Sequence, residues 1–137
     1  MKNMQKSRTD APLHGVGRRK SSVARVWVKH GSGNIEVNGL KHIEYFDTDI
    51  ARDCVTTPIK LSGLDKKIDI QVNVNGGGKI GQSGAVCLAI ARALVDNDDS
   101  LRKIFRENNL LTVDARKKER KKYGQRGARR KFQFVKR

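Results

Sequence analysis

Residues 68–95 read IDIQVNVNGGGKIGQSGAVCLAIARALV. The first seven positions alternate, with Ile68, Ile70, Val72 and Val74 set against Asp69, Gln71 and Asn73. That period of two belongs to a half-buried strand. The run Gly76 to Gly81 interrupts it. From Gln82 to Val95 the apolar residues Ala85, Val86, Leu88, Ala89, Ile90, Ala93 and Leu94 then cover nearly every face, and Arg92 is the only charge. A helix of this kind is buried, and its small side chains permit close approach to a sheet. Strand, glycine turn and buried helix in that order predict a mixed α and β core.

The same glycines spell a pattern that invites another reading. Gly76, Gly78 and Gly81 fit G-x-G-x-x-G, and Asp96 lies twenty residues beyond Gly76. This is the text of a dinucleotide site. The ribose-binding acid of such a site stands at the end of the next strand, whereas Asp96, Asp98 and Asp99 follow the helix directly. The P-loop pattern fails as well, because Ile80 follows Lys79. What remains is a backbone that can approach a phosphate at a helix N-terminus with Lys79 beside it, or simply a tight turn packing helix on sheet.

Further strands are expected at Ser21–Lys29, with Ala24, Val26 and Val28 on one face, and at Asn34–Val37, closed by the Asn38-Gly39 turn. Lys41 to Val55 mixes short helical patterns, with Ile43, Phe46, Ile50 and Cys54 as expected core contacts. Pro58 is expected to break it, leaving Ile59–Leu61 as a strand. Ser100 is placed to cap a helix carrying Leu101, Ile104 and Phe105, which ends near Asn108-Asn109. Leu110–Val113 is a last strand candidate. The whole is one α+β domain of about a hundred residues with a basic extension. It divides into a flexible leader (1–14), a globular domain (15–114) and a tail (115–137).

Charge says most about partners. Thirty lysines and arginines oppose fourteen acids among 137 residues, a formal net charge of +16. Residues 115–137 hold twelve of those bases and one acid, Glu119. Self-repulsion on this scale calls for a polyanion. The tail has few aliphatic residues with which to offset its ordering entropy, so it should gain its shape on a partner. Tyr123, Phe132 and Phe134 stand among its bases, and Gly124 and Gly127 allow tight bends. Aromatic rings and guanidinium planes stack on exposed bases, a habit of RNA recognition, although phosphate neutralisation alone serves DNA equally. No apolar run is long enough to span a bilayer. Cys54 and Cys87 are widely separated and His14, His30 and His42 lack ligand spacing, so reduced thiols and no metal or cofactor are expected. Near the N-terminus Arg18, Arg19 and Lys20, followed by two serines, form either a solvated loop or a phosphate clamp.

Three segments, GVGRRKSSVARVWV, NVNGGGKIGQSGAV and LLTVDARKKERKKYGQRGARRKFQFVKR, occur in this order. Together they resemble the family of small-subunit ribosomal protein nine (uS9), of bacterial or organellar type, over about residues 14–137. The resemblance implies a domain of the ribosomal protein S-five second-domain type. That is an α+β fold with a sheet of about four strands covered by helices, a left-handed βαβ crossover and an extended basic C-terminal tail. It implies no enzymatic activity and a place in the head of the small subunit of a cytoplasmic or organellar ribosome. The implied partners are small-subunit ribosomal RNA, P-site transfer RNA and neighbouring head proteins, with no membrane. By the resemblance, Arg18, Arg19 and Lys20 contact ribosomal RNA, with Lys79 added from the loop reading above. So do Arg116, Lys117, Lys118, Arg120, Lys121, Lys122, Tyr123, Arg126, Arg129, Arg130 and Lys131. Lys136 and Arg137 approach the anticodon stem-loop of the transfer RNA. The chain departs from the family pattern at Val135, where serine is usual, at Val113, where arginine is common, and across Cys87–Ile90, which lack the common histidine and glycine.

Overall fold

The computed structural model describes residues 11–136; the expected leader as far as residue 10, and Arg137, lie outside the described residues. In chain order the elements are β1 (Leu13–Arg19), β2 (Ser22–His30), β3 (Ile35–Val37), β4 (Leu40–Lys41), α1 (His42–Tyr45), α2 (Asp49–Ser62), β5 (Ile68–Asn75), α3 (Lys79–Asn97) and α4 (Leu101–Glu107). The five strands form one open sheet in the order β1-β2-β5-β3-β4. β3 and β5 run parallel, and every other pairing is antiparallel.

Alternation decides which face of the sheet is covered. Ala24, Val26 and Val28 of β2 pair with Val74, Val72 and Ile70 of β5, and all six are buried. Ile35 and Val37 of β3 continue the layer. α3 lies on it, buried at Val86, Ala89, Ile90, Ala93 and Leu94, with Phe46, Val55 and Phe105 closing the core from α1–α2 and α4. Burial of this apolar surface is the main force holding the layers together.

β1 departs from expectation, because Gly15–Lys20 reads as a loop in the sequence. Its inward face runs Leu13, Gly15, Gly17, Arg19, and at the two central glycines a Cβ would stand 2.1 Å from the Ala89 carbonyl oxygen and 2.0 Å from that of Ala85. The backbone of α3 therefore rests directly on the backbone of β1. A strand whose core side is glycine at its centre shows no apolar period, so the sheet has a strand that the pattern hides, and with β4 it has five strands rather than about four.

Other boundaries also moved. Pro58 does not break the chain: α2 runs through it to Ser62, so Ile59–Leu61 is helix and not strand. The ring removes the N–H that would bond the Cys54 carbonyl. One residue earlier, the Thr56 and Thr57 hydroxyls donate to the Asp53 carbonyl at 3.1 and 2.7 Å. Gly63, at φ 68°, ends the helix, and the Leu64 N–H closes back on the Ile59 carbonyl. The buried stripe of α2 is Ala51, Val55, Pro58 and Ile59. Ile50 falls one position off that stripe and is 76% exposed; Ile43 is exposed too, Cys54 is half-buried, and only Phe46 of the four expected contacts is fully buried. Ser100 gives no side-chain cap to α4; instead its N–H donates to Asp98. Leu110 and Leu111 pack against the core as irregular chain, not as a strand.

Candidate nucleic-acid interface

The glycine turn between β5 and α3 is held from within. Gly76 and Gly77 have φ of 75° and 63°, a region open to glycine at little cost, and a Cβ on Gly77 would meet the Ser22 hydroxyl at 2.2 Å. The Gly76 carbonyl accepts from Ser22 Oγ at 2.9 Å and from Gln82 Nε2 at 3.1 Å. Gln82 Oε1 in turn accepts from the Tyr45 hydroxyl at 2.8 Å. Helix α3 begins at Lys79, three residues earlier than the apolar pattern suggests, with Gly78 at its N-cap. The ammonium of Lys79 sits 3.4 Å over the Tyr45 ring, a cation–π contact that places its charge beside the turn. α3 leads into α4 and not into a strand, so the second half of a dinucleotide fold is not built.

The three consecutive bases prove unlike one another. They lie at the end of β1 and in the hairpin turn, where Lys20 takes φ 52°. Arg18 and Lys20 are exposed. Arg19 points inward across α3, its Cδ 2.4 Å from where a Gly84 Cβ would stand. Its Nε is buried without a hydrogen-bond partner, and its Nη2 lies 3.7 Å from Asp114 Oδ2. Close packing brings this turn to the start of α3, since Lys20 Cδ lies 3.7 Å from a Cβ built on Gly81. One end of the sheet thus gathers Arg18, Lys20 and Lys79.

The tail leaves from the same end. Asp114 accepts from Arg116 Nε and Nη2 at 2.9 and 2.8 Å and from the Arg116 N–H at 3.2 Å. These bonds, with Arg19 behind them, hold its carboxyl well below the usual carboxylate range. Beyond Arg116 no hydrogen bond or ion pair of residues 117–136 reaches back to the domain. Contacts there are local. Gln125 bridges to Lys131, the Arg126 N–H donates to the Arg130 carbonyl at 2.8 Å, and Gly124 turns at φ 69°. Glu119, the tail's one acid, takes Lys122 at 3.1 Å and Arg129 at 2.9 Å. No described carboxylate lies within ion-pair distance of Lys117, Lys118, Arg120, Lys121, Arg126, Arg130 or Lys131. Tyr123 is fully exposed, as are most of Phe132 and Phe134. Lys136 is exposed near the end, and Arg137 lies outside the described residues.

Two groups escaped the sequence reading. Cys54 and Cys87 come together where α2 packs on α3. A hydrogen bond from Cys87, helped by the Arg19 charge and opposed by burial, brings the Cys54 thiol down to about 7. The hydrogen bond to Cys54 and burial push Cys87 up. The uncovered face of the sheet, with Arg25 and Trp27, is the other. Its signal was present in the alternation that revealed the core, whose second set of positions faces away from it.

An α+β domain that sends out a cationic arm with no polar contact back to it beyond Arg116 has the build of a small basic protein that binds a polyanion. Comparison places it more closely. The model of the family "Ribosomal protein S9/S16" matches residues 17–137. A relative from Chlorobaculum parvum named "Small ribosomal subunit protein uS9" is 54% identical over 122 residues, 89% of this chain and 95% of its own length. A relative of the same name from Rhodopirellula baltica is 48% identical over 134 residues, 98% of either chain. One from Borreliella afzelii is 50% identical over 123 residues, 90% of each. The chain belongs to the ribosomal protein S9/S16 family.

Proposed function

We propose that this protein is a structural constituent of the small ribosomal subunit, working in the cytoplasm within the ribosome, and that its role is architectural and electrostatic. Its domain docks on small-subunit ribosomal RNA in the head, and its tail threads between RNA helices. The carrying observation is the arm itself: a run of cations of which only Lys122 and Arg129 meet its one acid, Glu119, exposed aromatics among them, and no polar contact to the domain beyond Arg116. Arg18, Lys20 and Lys79 form the docking end together with the tail residues from Arg116 to Lys131. Arg19 serves that end mainly by fixing Asp114 and the root of the tail. Lys136 and Arg137 supply attraction for the anticodon stem-loop of P-site transfer RNA. Neighbouring head proteins complete the surroundings. The parallel pairing of β3 with β5 across α1–α2 supports our reading of the domain as an S-five second-domain fold, for which we propose a left-handed crossover at this connection.

Counterion release supplies the test. If about six tail cations contact phosphates, log affinity for ribosomal RNA falls against log salt with a slope near −4 to −5. A salt-insensitive complex overturns the reading, and so does duplex DNA competing as well as structured RNA. Deleting Lys136 and Arg137 should leave subunit assembly nearly intact while speeding dissociation of P-site transfer RNA. Unchanged dissociation removes that assignment.

A further inference from the structure

Among the described residues, no helix covers the second face of the sheet. Along β1, β2 and β5 the residues on it stand in registered rows: Arg18, Val23 and Asn75; Val16, Arg25 and Asn73; His14, Trp27 and Gln71. Lys29 and Asp69 form the next row, and Glu36 beside Lys41 continues the face across β3 and β4. Four cations oppose two acids there. Asp69 is already occupied, since its Oδ1 accepts the N–H groups of Ser32, Gly33 and Asn34 at 2.8 to 3.0 Å. The His14 and Trp27 rings pack 5.3 Å apart, tilted by 48°. Beside Trp27, a shallow cleft of about 400 Å³ opens between Lys29, Gln71, Asn73 and the Asn38-Gly39 turn.

The chemistry of this face is specific. Within the described residues the amides of Gln71, Asn73 and Asn75 and the indole N–H of Trp27 make no hydrogen bond. An apolar protein surface would bury those groups unpaired, which is unfavourable for each of them. A nucleobase supplies a flat π-face for the indole and, on its edge, donors and acceptors for carboxamides. Its phosphates suit Arg25, Arg18 and Lys29. We infer that the bare sheet face is a second RNA-binding surface, separate from the tail, on which an unpaired nucleotide stacks against Trp27 and is read by Gln71 and Asn73. This inference rests on RNA being the partner.

Trp27 is the one tryptophan of the chain, so its emission reports this face and not the tail. The full chain is titrated with an oligoadenylate of about eight nucleotides and, separately, with heparin, a polyanion without bases. Oligoadenylate should quench Trp27 and shield it from acrylamide, and heparin should not. The double variant Arg25→Gln, Asn73→Ala should raise the quenching midpoint at least about 5-fold, while anisotropy still shows salt-dependent binding through the tail. Binding seen by anisotropy with unaltered Trp27 emission overturns this inference and leaves the tail reading intact. Equal quenching by heparin also overturns it. Absence of any RNA binding overturns both readings. A photo-crosslinker at position 71 that captures protein instead of RNA in native particles assigns the face to a protein and ends the proposal.

Discussion

Two side chains carry pH dependence that bench measurements can read. The Cys87 hydrogen bond and the Arg19 charge lower the Cys54 thiol while Cys87 is pushed up, so Cys54 is the more readily ionised of the two. Iodoacetamide should therefore modify Cys54 first, at a rate that climbs with pH through about 7 and is lower in Arg19→Gln; mass spectrometry of the labelled peptides checks this. Asp69 works in the opposite range. The Asn34 and Ser32 N–H groups bond its carboxylate and depress its pKa. Its contribution to stability is complete above the ordinary carboxylate range and is lost as pH falls through the depressed value. Asp69→Asn should thus lower the thermal midpoint at neutral pH, and the gap to the parent should narrow below roughly pH 4.

The contact between α3 and β1 is where a single atom matters most. Replacing Gly17 by valine puts a Cβ into the Ala85 carbonyl, which is backbone and cannot rotate away. A loss of about 3 kcal/mol or more in denaturant unfolding is expected. Gly39→Ala should cost less, since its Cβ meets nothing within 4 Å and only the φ of 84° is strained. The same contact explains what a reader of the sequence can see. β2, β3, β5 and α3 announce themselves because valines, isoleucines and alanines keep a period. β1 is silent because its core-facing side is glycine at its centre. Pro58 and the Leu110-Leu111 pair mislead for a related reason: proline disfavours a helix without forbidding it, and apolar neighbours can pack without a ladder. The cations Arg18 and Lys20 were legible as charges. The inward turn of Arg19 and the companions of Trp27 were not, since both depend on strand register.

Taken whole, the molecule separates its stabilising forces from its binding surface. The core closes before the tail starts, and the tail's link to the domain is the Asp114 cluster. Removal of residues 115–137 should therefore shift the unfolding midpoint only slightly while removing most of the salt-sensitive affinity for RNA. Circular dichroism melts beside filter binding would show whether the two quantities come apart in this way.

An arm that its own domain does not shelter is also a chemical target. Trypsin added to the free chain is therefore expected to cut at one lysine or arginine after another from Lys117 onward and to spare the compact domain, whereas an arm sheltered in a particle should resist the same digestion.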